Sequence, residues 1–158
     1  MTDPGAILVI GVGPGTGEAL IRRFVAAGHN VVMVARKLDH IGPLAQEIEA
    51  AGAKAMAETI DITDEAAVTD LFARAEVQLG PVRVAVFNGS YCLKKLFAEI
   101  EMGEFRQTLD VNLSGAFLMA REAARRMAPR GDGSIFFTGA QSTFRARNWP
   151  PSAWPRPG

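Results

Sequence analysis

Five short apolar runs, spaced by stretches of helical periodicity, decide most of what this chain can fold into. The runs are AILVIG (Ala6 to Gly11), NVVMVA (Asn30 to Ala35), AKAMAETID, PVRVAVFNG and GSIFFTGA. A strand wetted on one face alternates apolar with polar residues, whereas a strand buried on both faces reads as a continuous apolar run. Between the first two runs, Leu20, Ile21, Phe24 and Val25 fall at helical spacing and Gly28 ends the pattern. LAQEIEAAG is a second helical stretch, ending at Gly52. The third opens at Thr63, the expected cap, with Asp64 and Glu65 suited to its positive end. The fourth is a long helix expected from about Gln107 to Met127 and closed by Pro129. Strands alternating with helices in this way predict an α/β fold, a doubly wound parallel sheet with helices on both faces.

Right-handed crossovers leave few topologies for such a chain, and the leading one is an incomplete Rossmann sheet of about five strands in the order 3-2-1-4-5. At 158 residues the length suits one domain, and no internal repeat interrupts it. The 17 basic and 17 acidic side chains cancel, so nothing argues for a nucleic-acid groove or an acidic membrane surface. A single cysteine, Cys92, excludes an intramolecular disulfide and fits a reducing compartment. The N-terminus lacks the basic start and long apolar run of a signal peptide, and no later stretch could span a bilayer. A cytoplasmic location is the resulting expectation. His29 and His40 lie in no cluster at ligand spacing, so no metal is expected.

The segment GVGPGTG joins the first strand to the first helix. Its glycines permit positive φ and let backbone N–H groups approach a ligand closely. A helix starting near Gly15 aims its free N–H groups and partial positive charge at the same spot, which suits a pyrophosphate. The glycines alone are a weak signal, but the strand before and the helix after supply the context that a dinucleotide site requires. The candidate residues here are Gly11, Gly13, Pro14, Gly15, Thr16 and Gly17, with a merely tight turn as the alternative reading.

The spacing Gly11-x3-Gly15-x-Gly17 resembles the short-chain dehydrogenase/reductase family, and other landmarks follow in that family's order from Ala6 to about Ser142. Asp61 with Ile62, after the third strand, is similar to the acidic residue whose neighbourhood holds the adenine. FNGS stands where the family carries Asn-Asn-Ala-Gly; Asn88 matches its second Asn, and Gly89 and Ser90 follow. Asn112 in DVNLSGAF resembles the family's structural and catalytic asparagine, and GDGSIFFTGA looks like its fifth strand leading into the serine. The resemblance implies an oxidoreductase that moves a hydride between a nicotinamide dinucleotide and a small-molecule carbonyl or alcohol.

An NAD-preferring site of this kind ends its second strand in Asp or Glu, which accepts hydrogen bonds from the ribose hydroxyls. Here the strand runs into Ala35, Arg36 and Lys37. Cations there pair with a 2′-phosphate, so NADP is expected in preference to NAD. Asp39, the nearest acid, lies too far along. Solvated loop charges are the alternative for Arg36 and Lys37.

The resemblance further implies a tyrosine acid/base, a lysine four residues later that lowers its pKa, a carbonyl-orienting serine and the long-helix asparagine. A phenol with a pKa of about 10 must be brought toward neutrality to trade protons at useful rates. The only tyrosine is Tyr91, which spells Tyr-x-x-x-Lys with Lys95 but follows the fourth strand instead of the fifth. An ordinary loop aromatic and a solvated lysine are therefore expected. Ala140 falls at the serine position, leaving Ser142 as the substitute candidate. Asn112 serves the proton path or bonds backbone groups in a kinked helix. REAARRM reads as the solvent face of the long helix, which in full-length relatives contributes to a dimer; a homo-oligomer through the 107–127 helix is implied.

From Arg145 onward the composition changes: four prolines and two tryptophans appear and no acidic residue does. The expected division is a dinucleotide-binding domain over 1–142 and an irregular tail over 143–158. The tail reads as an unrelated ending on a truncated member, with a Pro/Trp/Arg docking peptide as the alternative. Without the tyrosine helix, three function classes stay open: the oxidoreductase, a dinucleotide-binding module without turnover, and an inactive truncated product.

Overall fold

The computed structural model describes residues 5–93 and 95–139. Five parallel strands form one sheet in the order β3-β2-β1-β4-β5. They are β1 (Ala6–Ile10), β2 (Asn30–Val34), β3 (Ala55–Glu58), β4 (Val82–Phe87) and β5 (Ser134–Phe137). The connecting helices are α1 (Thr16–Ala26), α2 (Leu38–Ala50), α3 (Glu65–Leu79), α4 (Met102–Leu109) and α5 (Gly115–Met127). The doubly wound expectation and its strand order both hold.

The period of two along β1 divides the core. Ile7 and Val9 join Ile21, Met33, Ile41, Leu44 and Ile48 under α1 and α2. Leu8 and Ile10 face the other way, with Leu71, Phe72, Phe87, Met119 and Ala123 under α3 and α5. Each of the larger of these side chains stabilises the fold by about 1.5–3 kcal/mol through area removed from water. β1 is buried along its whole length, which is why its sequence shows no alternation.

Helix boundaries differ from the sequence reading where local signals compete. Asp64, not Thr63, caps α3, accepting the N–H groups of Ala66 and Ala67, because the Thr63 hydroxyl is donated to Asp61. α2 begins at Leu38 and carries Pro43 inside it; full burial of Ile41 against the sheet draws the preceding turn into the helix. The long helix starts at Met102, earlier than expected, because Glu104 reaches back to the Glu101 N–H in a capping box. It is then interrupted by a π-helical turn over Asp110–Ser114 before α5.

REAARRM is not a solvent face. Glu122 is buried at 6% exposure and accepts from Arg126 Nε at 2.8 Å. Arg126 also donates to Glu76 at 2.8 Å, and Arg130 bridges Glu76 at 2.9 Å to the Val82 carbonyl at 2.6 Å. This network ties α3, α5 and the start of β4 together at the end of the sheet remote from the glycine turn. Burial pushes the Glu76 carboxyl up, but the hydrogen bonds from Arg126 and Arg130 outweigh it and hold the group below its ordinary 4.5. A lowered folded-state pKa contributes stability above the unfolded value, and that contribution is lost as pH falls through the folded value. Glu76→Gln should therefore lower unfolding free energy at neutral pH by about 2 kcal/mol and flatten the stability loss below pH 4.5. Urea melts at several pH values check this; a parent and variant with the same acid limb would refute it.

β5 lies at the sheet edge, and among the described residues Phe136 and Phe137 remain 54% and 57% exposed. Only Ile135 of that strand packs against the α3/α5 core.

Candidate functional site

The carboxyl ends of the strands open onto a cleft of about 630 Å³. Its wall runs from Ile10 through Gly17, then Val34, Ala35 and Arg36 after β2, and Ile60 and Ile62 after β3. Phe87 through Ser90, Val111 of the π turn, and Thr138 and Gly139 after β5 complete it. Opening at the carboxyl ends, where β1 and β4 diverge in connection, is the topological switch point of a doubly wound sheet.

The four glycines of the turn divide by environment. A Cβ on Gly11, whose φ is +88°, would lie 2.4 Å from Gly89 N and 2.6 Å from the Asn88 carbonyl carbon. On Gly17 it would meet the Gly11 oxygen at 2.7 Å and Val12 Cα at 2.8 Å, so α1 packs against the turn only because that atom is missing. Gly13 and Gly15 have no atom of a described, non-adjacent residue within 4 Å of the corresponding position and line the cleft. Gly11 and Gly17 thus serve packing, while Gly13 and Gly15 leave room. Gly15 is also the N-cap of α1 and provides no side-chain acceptor for its first-turn amides.

Asn88 stitches this region together. Its backbone N–H donates to Ile10 O at 2.8 Å, its Nδ2 donates to Gly11 O at 2.8 Å, and its Oδ1 accepts from Thr138 Oγ1 at 2.9 Å. The Gly11 and Val12 amides both donate to Val34 O, at 2.8 and 3.0 Å. Strands β1, β2, β4 and β5 therefore all hold the one turn.

Most of the sequence-based candidates converge here: Gly11, Gly13, Pro14, Gly15, Thr16, Gly17, Arg36, Ile62, Asn88, Gly89 and Ser90 all line the cleft. Arg36 makes no ion pair among the described residues. Three candidates stand apart. Lys37 is the exposed N-cap position of α2 and is not part of the wall. Asp61 accepts from the Thr63 hydroxyl at 2.7 Å and its N–H at 2.9 Å, which hold its carboxyl below the usual range. Asn112 is occupied in both directions, accepting from Tyr91 N and donating to Tyr91 O, each at 2.8 Å. It clamps the loop after β4 onto the π turn. Ser142 and Ala140 lie outside the described residues, as does the 143–158 tail.

No hydrogen bond joins Tyr91 to Lys95 among the described residues. Lys95 is bound by Glu104, a hydrogen bond that raises its pKa. Sequence reasoning missed Val12, Ala35, Ile60, Val111 and Thr138 as wall residues. Ile60 had a usable signal, standing two residues before Ile62 just after β3; Thr138 had none.

A family model described as short chain dehydrogenase matches residues 5–151. The chain belongs to the short-chain dehydrogenase family. It is 32% identical over 142 residues to the uncharacterized oxidoreductase YuxG of Bacillus subtilis, covering 88% of this chain and 21% of that protein. Galactitol 2-dehydrogenase (L-tagatose-forming) of Cereibacter sphaeroides is 31% identical over 140 residues, covering 89% of this chain and 54% of that one. A solved short-chain dehydrogenase from Rhodopseudomonas palustris matches with a TM-score of 0.81 at 33% identity, covering 89% of this chain and 66% of that one. The chain thus spans less than two-thirds of the length of each. The 3-2-1-4-5 sheet is the part of the fold that the match to that solved short-chain dehydrogenase covers.

Proposed function

We infer that the chain forms the dinucleotide-binding part of an oxidoreductase that transfers hydride between NADP(H) and a carbonyl or alcohol. The observation that supports this best is the open space over Gly13 and Gly15 beside an α1 start that no side chain caps. A pyrophosphate fits that space: the backbone comes close, the amides of the first turn donate, and the helix dipole favours its charge. Arg36, two residues beyond β2 and without an ion pair among the described residues, fits a 2′-phosphate, and the apolar wall of Ile60, Ile62 and Val111 fits a base. The bound nicotinamide would supply the hydride chemistry; these residues bind and orient it. The alcohol or carbonyl substrate class is supported by a relative named as a galactitol dehydrogenase.

A second reading, dinucleotide binding without turnover, is favoured by one specific arrangement. Tyr91 is the chain's only tyrosine, and both polar atoms of the Asn112 side chain are spent on its backbone. Parallel fluorescence titrations with NADPH and NADH test the first reading, with carbonyl-dependent NADPH oxidation separating it from the second. Binding of neither dinucleotide would remove both.

The chain also pairs with a second copy in this reading, through the exposed apolar residues of the 107–127 helix. Ala116 and Ala123 of α5 are buried in the core, whereas Leu109, Leu113 and Phe117 are 41%, 64% and 58% exposed. Sedimentation velocity should find a dimer that Phe117→Asp dissociates at least tenfold more readily, roughly the effect of one buried interface aromatic. A monomeric parent would refute it.

A further inference from the structure

We propose that Thr138 is a positioning residue of the dinucleotide cleft, acting through the Asn88 side chain on the Gly11 turn; the inference rests on the cofactor reading above. Thr138 stands one residue beyond β5, and its own N–H is held by Phe87 O at 3.0 Å. Its place in the sheet therefore does not depend on its side chain. The hydroxyl donates to Asn88 Oδ1 at 2.9 Å, with Phe87 O a poorer acceptor at 3.5 Å. Asn88 Nδ2 then donates to Gly11 O at 2.8 Å.

The direction of this chain of donors carries the argument. An Asn88 amide turned over would set Oδ1 against Gly11 O, two acceptors face to face. The Gly11 carbonyl, which can only accept, sets the direction of the amide, and the Thr138 hydroxyl donates to Oδ1 in that direction and so holds the side chain at its angle over the glycines. Asn88 Nδ2 also stands 3.3 Å from the position a Gly17 Cβ would take, in the angle between the turn and the start of α1. Releasing the amide frees the Gly11 carbonyl, and with it the backbone over which Gly13 and Gly15 leave their open space. Valine at 138 keeps the shape of threonine and removes the hydroxyl, leaving Asn88 Oδ1 without that donor.

The test uses the full chain and NADPH fluorescence titration at a temperature well below the unfolding midpoint. Thr138→Val should raise the NADPH Kd about tenfold, the scale of one hydrogen bond, and Thr138→Ser should stay within about twofold of the parent. The double variant Thr138→Val/Asn88→Ala should bind no more weakly than Asn88→Ala alone, because residues acting in series are not additive. A merely structural hydroxyl would lower the unfolding midpoint and leave Kd unchanged, and that result overturns the proposal. Additive losses overturn it too, since Thr138 would then act on the ligand independently of Asn88. If Asn88→Ala does not fold, the side-chain amide resonances of Asn88 decide: they must shift in Thr138→Val, and unmoved resonances overturn the assignment. A parent that binds no dinucleotide sinks the cofactor reading and this inference together, whereas a binding parent matched by Thr138→Val sinks this inference alone.

Discussion

Arg36→Asp should weaken NADPH binding by about a hundredfold, the sum of a lost charge-assisted hydrogen bond and a new carboxylate–phosphate repulsion. NADH should change by less than about threefold, since an acid at this place can accept from the ribose hydroxyls. The asymmetry follows from geometry. Arg36 lines the cleft two residues beyond the end of β2, carries no ion pair among the described residues, and so has its charge available to a ligand. Lys37, its neighbour, points the same lesson from the other side. It sits outside the cleft wall, so Lys37→Asp should leave the NADPH/NADH ratio far less altered. Titrating both dinucleotides against both variants measures this directly. Equal losses for NADPH and NADH in Arg36→Asp would remove the argument for a 2′-phosphate.

The second large effect concerns the fold itself. Gly11→Ala places a carbon 2.4 Å from a backbone nitrogen, at a residue whose φ is +88°. Overpacking against backbone and the left-handed conformation each cost about 1–3 kcal/mol, so a loss of about 4 kcal/mol is expected. That is a large fraction of a typical domain stability of about 5–15 kcal/mol. Gly13→Ala, with no neighbour within 4 Å among the described residues, is the control, and its stability should stay within about 0.5 kcal/mol of the parent. Urea unfolding of the two variants separates the packing glycines from the open ones. A Gly11→Ala midpoint equal to that of Gly13→Ala would show that the β4 end can retreat from the turn.

Much of this architecture is legible before any coordinate. Continuous apolar runs mark strands buried on both faces, and helical spacing between them leaves a parallel sheet as the outcome. The glycine turn is legible too, because strand, glycines and helix are contiguous in the chain. The helix ends are where local reading failed. Thr63 and Asp64 are equally good caps in isolation, and Asp61 takes the Thr63 hydroxyl away from that role.

The residue order alone therefore determined the sheet, its strand sequence and the place of the cleft, since periodicity and backbone freedom are properties of neighbours along the chain. Tertiary structure alone decided that Thr138 meets Asn88 across 50 residues, that Asn88 meets Gly11 across 77, and that Glu122 is buried with Arg126 and Glu76 instead of wetted. A side-chain donor has many acceptors of equal chemistry in a sequence of this length. Only the register of the strands brings one of them within hydrogen-bond distance, and register is a property of the assembled sheet.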